Sequence, residues 1–545
     1  MPTDARRIAD RYWDGVLELE PLLGTVVGDE RFDDRLGDLS EAGRARRDEV
    51  HRGALADLDG IDREALGTED RVTLDLVETL ATRNLQTLAL GYDRLEIVDH
   101  LWGPGTLLAD LGSFVRATTP ERREALVRRL GAIPAYLDQA AAVMAEGVAT
   151  GRTAAGLVVD RIDAQVGRLL DEGPDRCAVL PALPEDDAEG RTEVVAVLRD
   201  VVFPAYETYR DALRDYRPNA REGIGLVALP DGEELYDAQI LGFTTLALPA
   251  KDVHQLGLQQ LERIQEEKRE IARAVGAPDP ETAVARRREE GLDSFATREE
   301  IVELARKQAD RSWTAASSFF GSLPDRNCEV RAIDALREAD QPEHYIAPTP
   351  DGSRPGVYYV NTVDYLARPR HALATTTYHE SNPGHHFQGA LEVAAADRAA
   401  IRRFAADIVG MAFCEGWGLY SERLADEMGM YQDEYERLGM LEMQAFRAAR
   451  LVVDTGIHAL GWERQRAVDV LRSSALPAEP AEREVDRYVS IPGQALCYKL
   501  GQLEIEGWRA EASARPGFSL REFHDRLLSL GSLPLPTLRR EMANA

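Results

Sequence analysis

The chain of 545 residues is short of cysteine. Its four thiols, Cys177, Cys328, Cys414 and Cys497, are scattered, and no two stand at the spacing of a metal-binding pair. So few thiols in so long a chain exclude a disulfide framework. Basic charge is short as well: Lys and Arg total 65 against 95 Asp and Glu, a formal net charge of -30. A nucleic-acid surface needs clustered positive charge, and an anionic bilayer repels an acidic chain. Neither is an expected partner. No apolar run approaches the ~20 residues that span a bilayer. The stretch "MPTDARRIADRYWDGVLELEP" contains no apolar signal core, so the cytoplasm is the expected location. Internal repeats and low-complexity tracts are absent too.

What is present is mostly amphipathic helix. Segments 120–151 and 192–218 space their apolar residues at three and four. "TREEIVELARKQADRSWTAASSFFG" opens with a capping box, Thr297 followed three residues later by Glu300. Two short stretches, "CEVRAI" (328–333) and "GVYYVN" (356–361), carry the β-branched and aromatic residues of strands. The Pro- and Gly-rich "PTPDGSRPG" between them suits a loop. The length allows two lobes with substantial cores. A turn-rich stretch at 218–234 suggests an N-terminal helical lobe, 1–217, and a second lobe, 218–545, set around a cleft or forming one continuous body. The predicted fold is mainly α, with a small sheet just before the histidine segment.

Four of the ten histidines, His371, His379, His385 and His386, fall within sixteen residues. "YHESNPGHHFQ" (378–388) begins like the zinc-peptidase pattern His-Glu-x-x-His. There, two histidines one turn apart share an ion, and the glutamate activates water. Here Pro383 stands where the second histidine belongs, and the next histidines come at i+6 and i+7. On a straight helix i+7 returns to the same face, but about 10 Å along the axis. That is too far for one ion bound at ~2.1 Å. Pro383 cannot donate to the carbonyl of His379 and crowds that turn, while Gly384 accepts dihedrals other residues resist. Together they can bend the helix and return His385 or His386 to His379. Spacing alone leaves two readings open, a bulged metal helix and a helix end with surface histidines. The uncharged "ALATTTY" before His379 suits a buried helix that delivers His-Glu to a cavity.

"HESNPGHHFQ" resembles the HExxPGHH signature of the bacterial family catalogued as domain of unknown function 885. Further segments resemble that family in the same order: "GSRPGVYYVNT" (352–362), "CEGWGLYSERL" (414–424), "VVDTGIHALGWERQRA" (452–467) and "RYVSIPGQALCYKLG" (487–501). The resemblance implies a zincin-like, mostly helical metallohydrolase related to metallopeptidases. It implies His379 and His385 as ligands, Glu415 as third ligand and Glu380 as general base. His386 is the competing histidine and otherwise a substrate contact. One Zn2+ per chain is the implied cofactor, with another divalent metal as the substitute. Glu415 also stands out by itself, in the apolar middle of a helix, where a carboxylate needs a partner such as an ion or a salt bridge. Glu422, seven residues on, is either a second-layer partner or an exposed acid.

Other polar groups are candidates for supporting roles. Arg447, Arg450, Asp454 and His458 form one stripe at helical spacing, either a solvated face or a cavity lining. In the second case Asp454 orients a ligand histidine, Arg450 binds a substrate carboxylate and His458 meets a developing oxyanion. Tyr498 is a second oxyanion candidate, and Gln494, Lys499 and Tyr359 are candidate substrate contacts. An exposed edge on the strand of Tyr359 is a place for an extended peptide to pair. The expected activity is zinc-dependent hydrolysis of amide bonds in short peptides. The alternatives are an amidase acting on a non-peptide metabolite and a non-catalytic helical binding protein. Oligomeric state is not legible.

Overall fold

In the computed structural model, residues 3–333, 342–349, 352, 354–404, 408–474 and 478–543 are described. Positions 350, 351 and 353 of the loop expected between the strands lie outside them. The fold is mainly helical with one small sheet. Among the described residues no helix is long and apolar enough to cross a membrane. The chain divides into two compact units. The first comprises Met1–Ala238, Ile457–Arg464 and Glu482–Pro492, and the second comprises Gln239–Gly456, Gln465–Ala481 and Gly493–Ala545.

The first unit is a helical assembly. Its helices start where side chains can satisfy free backbone N–H groups. Thr3 accepts from Arg6 ahead of Asp4–Leu19, and Ser40 accepts from Gly43 ahead of Glu41–Leu58. The expected helix at 120–151 is two, Pro120–Gly131 and Ile133–Thr150, meeting beside Pro134. The run at 192–218 widens to a π turn at Leu198–Val202, just before Pro204. A proline that cannot donate leaves the preceding turn free to re-pair at the wider spacing.

The second unit carries the histidine segment. Strands β1 (Glu329–Ala332), β2 (His344–Ile346) and β3 (Val357–Val360) lie in the order β1-β3-β2. β1 runs parallel to β3 and β2 antiparallel to it. The middle strand is therefore β3, paired on both sides, and the exposed edge expected on the strand of Tyr359 does not exist. The helices are α1 (Arg298–Ala316), α2 (Leu373–Glu380), α3 (His385–Ala394), α4 (Met411–Glu427), α5 (Glu434–His458) and α6 (Cys497–Ser513). At the start of α1, Thr297 accepts from the Glu300 N–H at 3.2 Å, and Glu300 accepts from the Ala296 N–H at 2.8 Å. The apolar face of α1 (Ile301, Ala305, Ala309) packs with Val330, Tyr358, Val360 and Leu373 into one core under the sheet. That core fixes the start of α2, the helix that ends in His379 and Glu380. α4 and α6 pack so closely that a Cβ on Gly416 or Gly501 would overlap the opposite backbone.

Candidate metal centre

The helix breaks where Pro383 and Gly384 were expected to break it. α2 ends at Glu380, Ser381 leaves the helical region, and α3 begins at His385. The connector is tied down on all sides. The Gly384 N–H donates to the Tyr378 carbonyl and the His386 N–H to the Ser381 carbonyl, both at 3.1 Å. From α4, Trp417 Nε1 donates to the carbonyls of Pro383 (3.0 Å) and Gly384 (3.2 Å). Asn382 donates to the Ala309 carbonyl on α1 and to Asn327. Gly384 itself is required, because a Cβ there would overlap the carbonyl oxygens of Tyr378 and His379.

This turn brings His385 to His379. Their rings stand perpendicular with centroids 4.7 Å apart. Glu415 Oε2, from α4, lies 3.6 Å from His379 Nε2 and 3.5 Å from His385 Nε2. Donors at ~2.1 Å from a tetrahedral ion sit about 3.4 Å from one another, so the Glu415 oxygen already stands at that separation from each imidazole nitrogen. Glu380 belongs to the same group: His379, Glu380 and His385 each offer a ligand-type atom within 4.8 Å of the others. Side-chain exposure rises from 4% at His379 to 13% at His385 and 21% at Glu415. The centre therefore opens to solvent on the His385 and Glu415 side. On the closed side α4 presses against His379, and a Cβ on Gly418 would come within 2.7 Å of that ring.

The charges are mutually dependent. Burial opposes the charge on Glu415, yet the imidazoles of His379 and His385 beside it hold it well below the usual carboxylate range. Burial likewise opposes the charge on His379, and the carboxylates of Glu415 and Glu422 outweigh it, raising that imidazole to about 9. Burial pushes Glu380 up, against the nearby histidines. A carboxylate raised in this way is suited to taking up and returning a proton.

The outer partners differ from several expectations. Glu422, not Asp454, meets a ligand-type histidine: its Oε1 lies 3.0 Å from His379 Nδ1. Asp454 instead accepts from the Gly493 N–H at 3.0 Å and holds the turn that opens the Gln494 segment. Behind Glu422, Gln444 Nε2 donates to its Oε2 at 2.9 Å. Lys499 donates to Gln444 Oε1 at 2.9 Å, so this expected substrate contact is buried behind the histidines; burial pushes it down to about 8. The weaker partner of His385 Nδ1 is Cys414 Sγ at 3.7 Å, and that thiol also lies 3.3 Å from Gln388 Oε1.

His386 points the other way. Its Nδ1 is 3.0 Å from the Tyr345 hydroxyl on β2, and its Nε2 is 2.9 Å from the Arg326 carbonyl. Both nitrogens are engaged, which removes His386 as a substrate contact; burial lowers it to about 4. His458 lies in the first unit, fully buried, with Nδ1 accepting from the Leu226 N–H (3.2 Å) and Nε2 donating to the Tyr488 carbonyl (2.9 Å). It has no ring nitrogen left for an oxyanion. The stripe of Arg447, Arg450, Asp454 and His458 is buried rather than solvated. The Arg450 guanidinium lies 4.3 Å from the Phe446 ring centroid and 4.4 Å from that of Tyr498. Gln494 donates to the sulfur of Met411, the first residue of α4. Tyr359 stacks on His344 across the sheet, its ring centroid 5.2 Å away. These contacts tie Arg450 to Phe446 and Tyr498, Gln494 to Met411, and Tyr359 to His344. Gln444 was missed, although it stands three residues before Arg447 and begins the same helical stripe. Cys414 was passed over as a lone thiol.

Fold and centre together define a mainly helical protein with a nitrogen–oxygen donor cluster built on a broken helix. The model of a family described as bacterial protein of unknown function (DUF885) matches residues 21–542, and the chain belongs to that family. Among solved structures it is similar to the "putative lipoprotein" of Colwellia psychrerythraea, with 26% identity, 100% of this chain and 99% of that one covered, and a TM-score of 0.89. It also shares its fold with a "putative lipoprotein of unknown function" from Shewanella oneidensis, at 19% identity, full coverage of both chains and a TM-score of 0.77. No curated protein matches the chain.

Proposed function

We propose that the protein is a zinc-dependent, zincin-like hydrolase that cleaves amide bonds of short peptides. One observation carries this reading. A broken helix returns His385 to His379 so that both Nε2 atoms face one oxygen of Glu415, with Glu380 beside them. Two imidazoles and a carboxylate are the donor set of a catalytic zinc site with an open position. His379, His385 and Glu415 would hold the ion. When bound, it supplies Lewis acidity and eases the deprotonation of a water. Glu380, not needed as a ligand, takes the proton of the attacking water and returns it to the leaving nitrogen. Glu422 accepts from His379 Nδ1 and holds that ring in place. The open side, towards His385 and Glu415, is where a substrate carbonyl enters.

The test has two arms. Elemental analysis of the full chain after zinc reconstitution is expected to find one ion per chain, and none would sink the proposal. Glu380→Gln is expected to keep the ion and lose on the order of 100-fold or more in turnover on a dipeptide panel. A wild-type rate would remove Glu380 as the base. Running acylated amines in the same panel separates a peptidase from a metabolite amidase. For location, the expected cytoplasm competes with the setting suggested by the two relatives described as lipoproteins. Fractionation of the native cells decides between them.

A further inference from the structure

The buried polar chain behind His379 has a direction. It begins at Lys499 on α6, whose ammonium can only donate. Lys499 Nζ donates to Gln444 Oε1 at 2.9 Å and to Gln502 Oε1 at 2.8 Å. An amide whose oxygen is held by an ammonium must turn its NH2 the other way. Gln444 Nε2 accordingly donates to Glu422 Oε2 at 2.9 Å and to the Leu419 carbonyl at 3.2 Å. Gln502 is turned in the same sense and donates to Glu506 Oε1 at 2.9 Å. Glu422 thus receives a proton donor on one oxygen. Its other oxygen, 3.0 Å from His379 Nδ1, accepts the N–H of that ring. With Nδ1 given over to Glu422, Nε2 is the nitrogen turned towards Glu415 and His385, and it is the one free to bind an ion once any proton on it has left. Glu422, Gln444, Lys499 and Gln502 are all buried, so water does not compete for these bonds. The partner behind His385 is of another kind: its Nδ1 faces the thiol of Cys414 at 3.7 Å, and that thiol lies 3.3 Å from Gln388 Oε1.

We propose that Lys499 is a positioning residue: through Gln444 and Glu422 it sets the tautomer and ring orientation of His379, and so prepares Nε2 to bind a divalent ion. This rests on the metal-centre reading above. It assigns Lys499 a role at the ion rather than at the substrate. It also predicts that a change four side chains from the ion, touching no ligand, is felt as metal affinity.

The test is zinc affinity of the metal-free full chain, measured by competition with a chromophoric chelator. Lys499→Met is expected to weaken zinc binding by about 10- to 100-fold. Lys499→Arg, which restores a donor-only cation, is expected to recover most of the loss. Gln444→Met cuts the same chain at another link and is expected to produce a similar loss. The double variant is then expected to be no weaker than either single one, because the chain is already broken. Unchanged affinity in Lys499→Met, or losses that add in the double variant, overturns the proposal and leaves the metal centre standing. Wild-type protein that binds no zinc overturns the metal centre itself, and this proposal with it. Where circular dichroism shows Lys499→Met unfolded, Gln444→Met carries the test alone, and unchanged affinity there overturns it.

Discussion

Gly418→Ala tests whether the His379 ring is held by packing as well as by hydrogen bonds. The added Cβ would lie 2.7 Å from Cε1 and 2.8 Å from Nε2 of His379, where ordinary contact begins at 3.4 Å. The ring must therefore retreat by about 0.7 Å, or α4 must give way. Neither is easy. Nδ1 is held by Glu422, and α4 is clamped to the helix break by Trp417 and to α6 by the Gly416–Gly501 contact. Overpacking of this kind costs about 1–3 kcal/mol of stability. A ligand atom tolerates a displacement of only about 0.2 Å. The expected outcome is a modestly destabilised protein whose zinc affinity falls at least about tenfold. Denaturant melts of the metal-free chain read the first effect and chelator competition reads the second. Wild-type affinity in a folded Gly418→Ala would refute the claim that α4 sets the ring position.

The two adjacent histidines are expected to separate cleanly. His385→Ala should abolish stoichiometric zinc. His386→Ala should retain it while losing the tie to Tyr345 and the Arg326 carbonyl, seen as a lower melting temperature; the reverse metal contents would transfer the ligand role to His386. Away from the centre, His371 lies between Asp293 (2.7 Å) and Glu442 (2.9 Å). Burial opposes its charge, but the two carboxylates raise it from 6.5 to about 9. Since the folded value is the higher one, the contribution is fully present below about pH 6.5 and is lost as pH rises through about 9. Counted once for the whole triad, it amounts to about 3 kcal/mol. The stability gap between wild type and His371→Gln is therefore expected to narrow by about that much between pH 6 and pH 10. A gap that does not change with pH would show that His371 is neutral in the folded protein.

Much of the fold was legible because its signals are local. The capping pair Thr297 and Glu300, the strand character of 328–333 and 356–361, and the break at Pro383-Gly384 all depend on residues close in sequence. Family membership was legible in several short segments in order, and the family model bears it out across residues 21–542. β2 was missed, since three residues that pair with only one neighbour leave little pattern. The polar stripe on α5 was seen, but whether it faces solvent or interior depends on what packs over it, and helical periodicity does not say.

The sequence by itself determined that the helix could not continue through Pro383, that a nearby glycine could take up the distortion, and that a histidine would follow the bend. Which histidine comes back, and what stands behind it, was decided only by the tertiary structure. His385 and His386 are adjacent and chemically identical. Their fates differ because Trp417 and Asn382 fix the connector from two sides, while β2 offers Tyr345 to one ring and α4 offers Glu415 to the other. In the same way Lys499 read as a group that could reach a substrate. It became the far end of a buried chain because the glycines of α4 and α6 let those helices close on each other, leaving its ammonium buried against two glutamine oxygens.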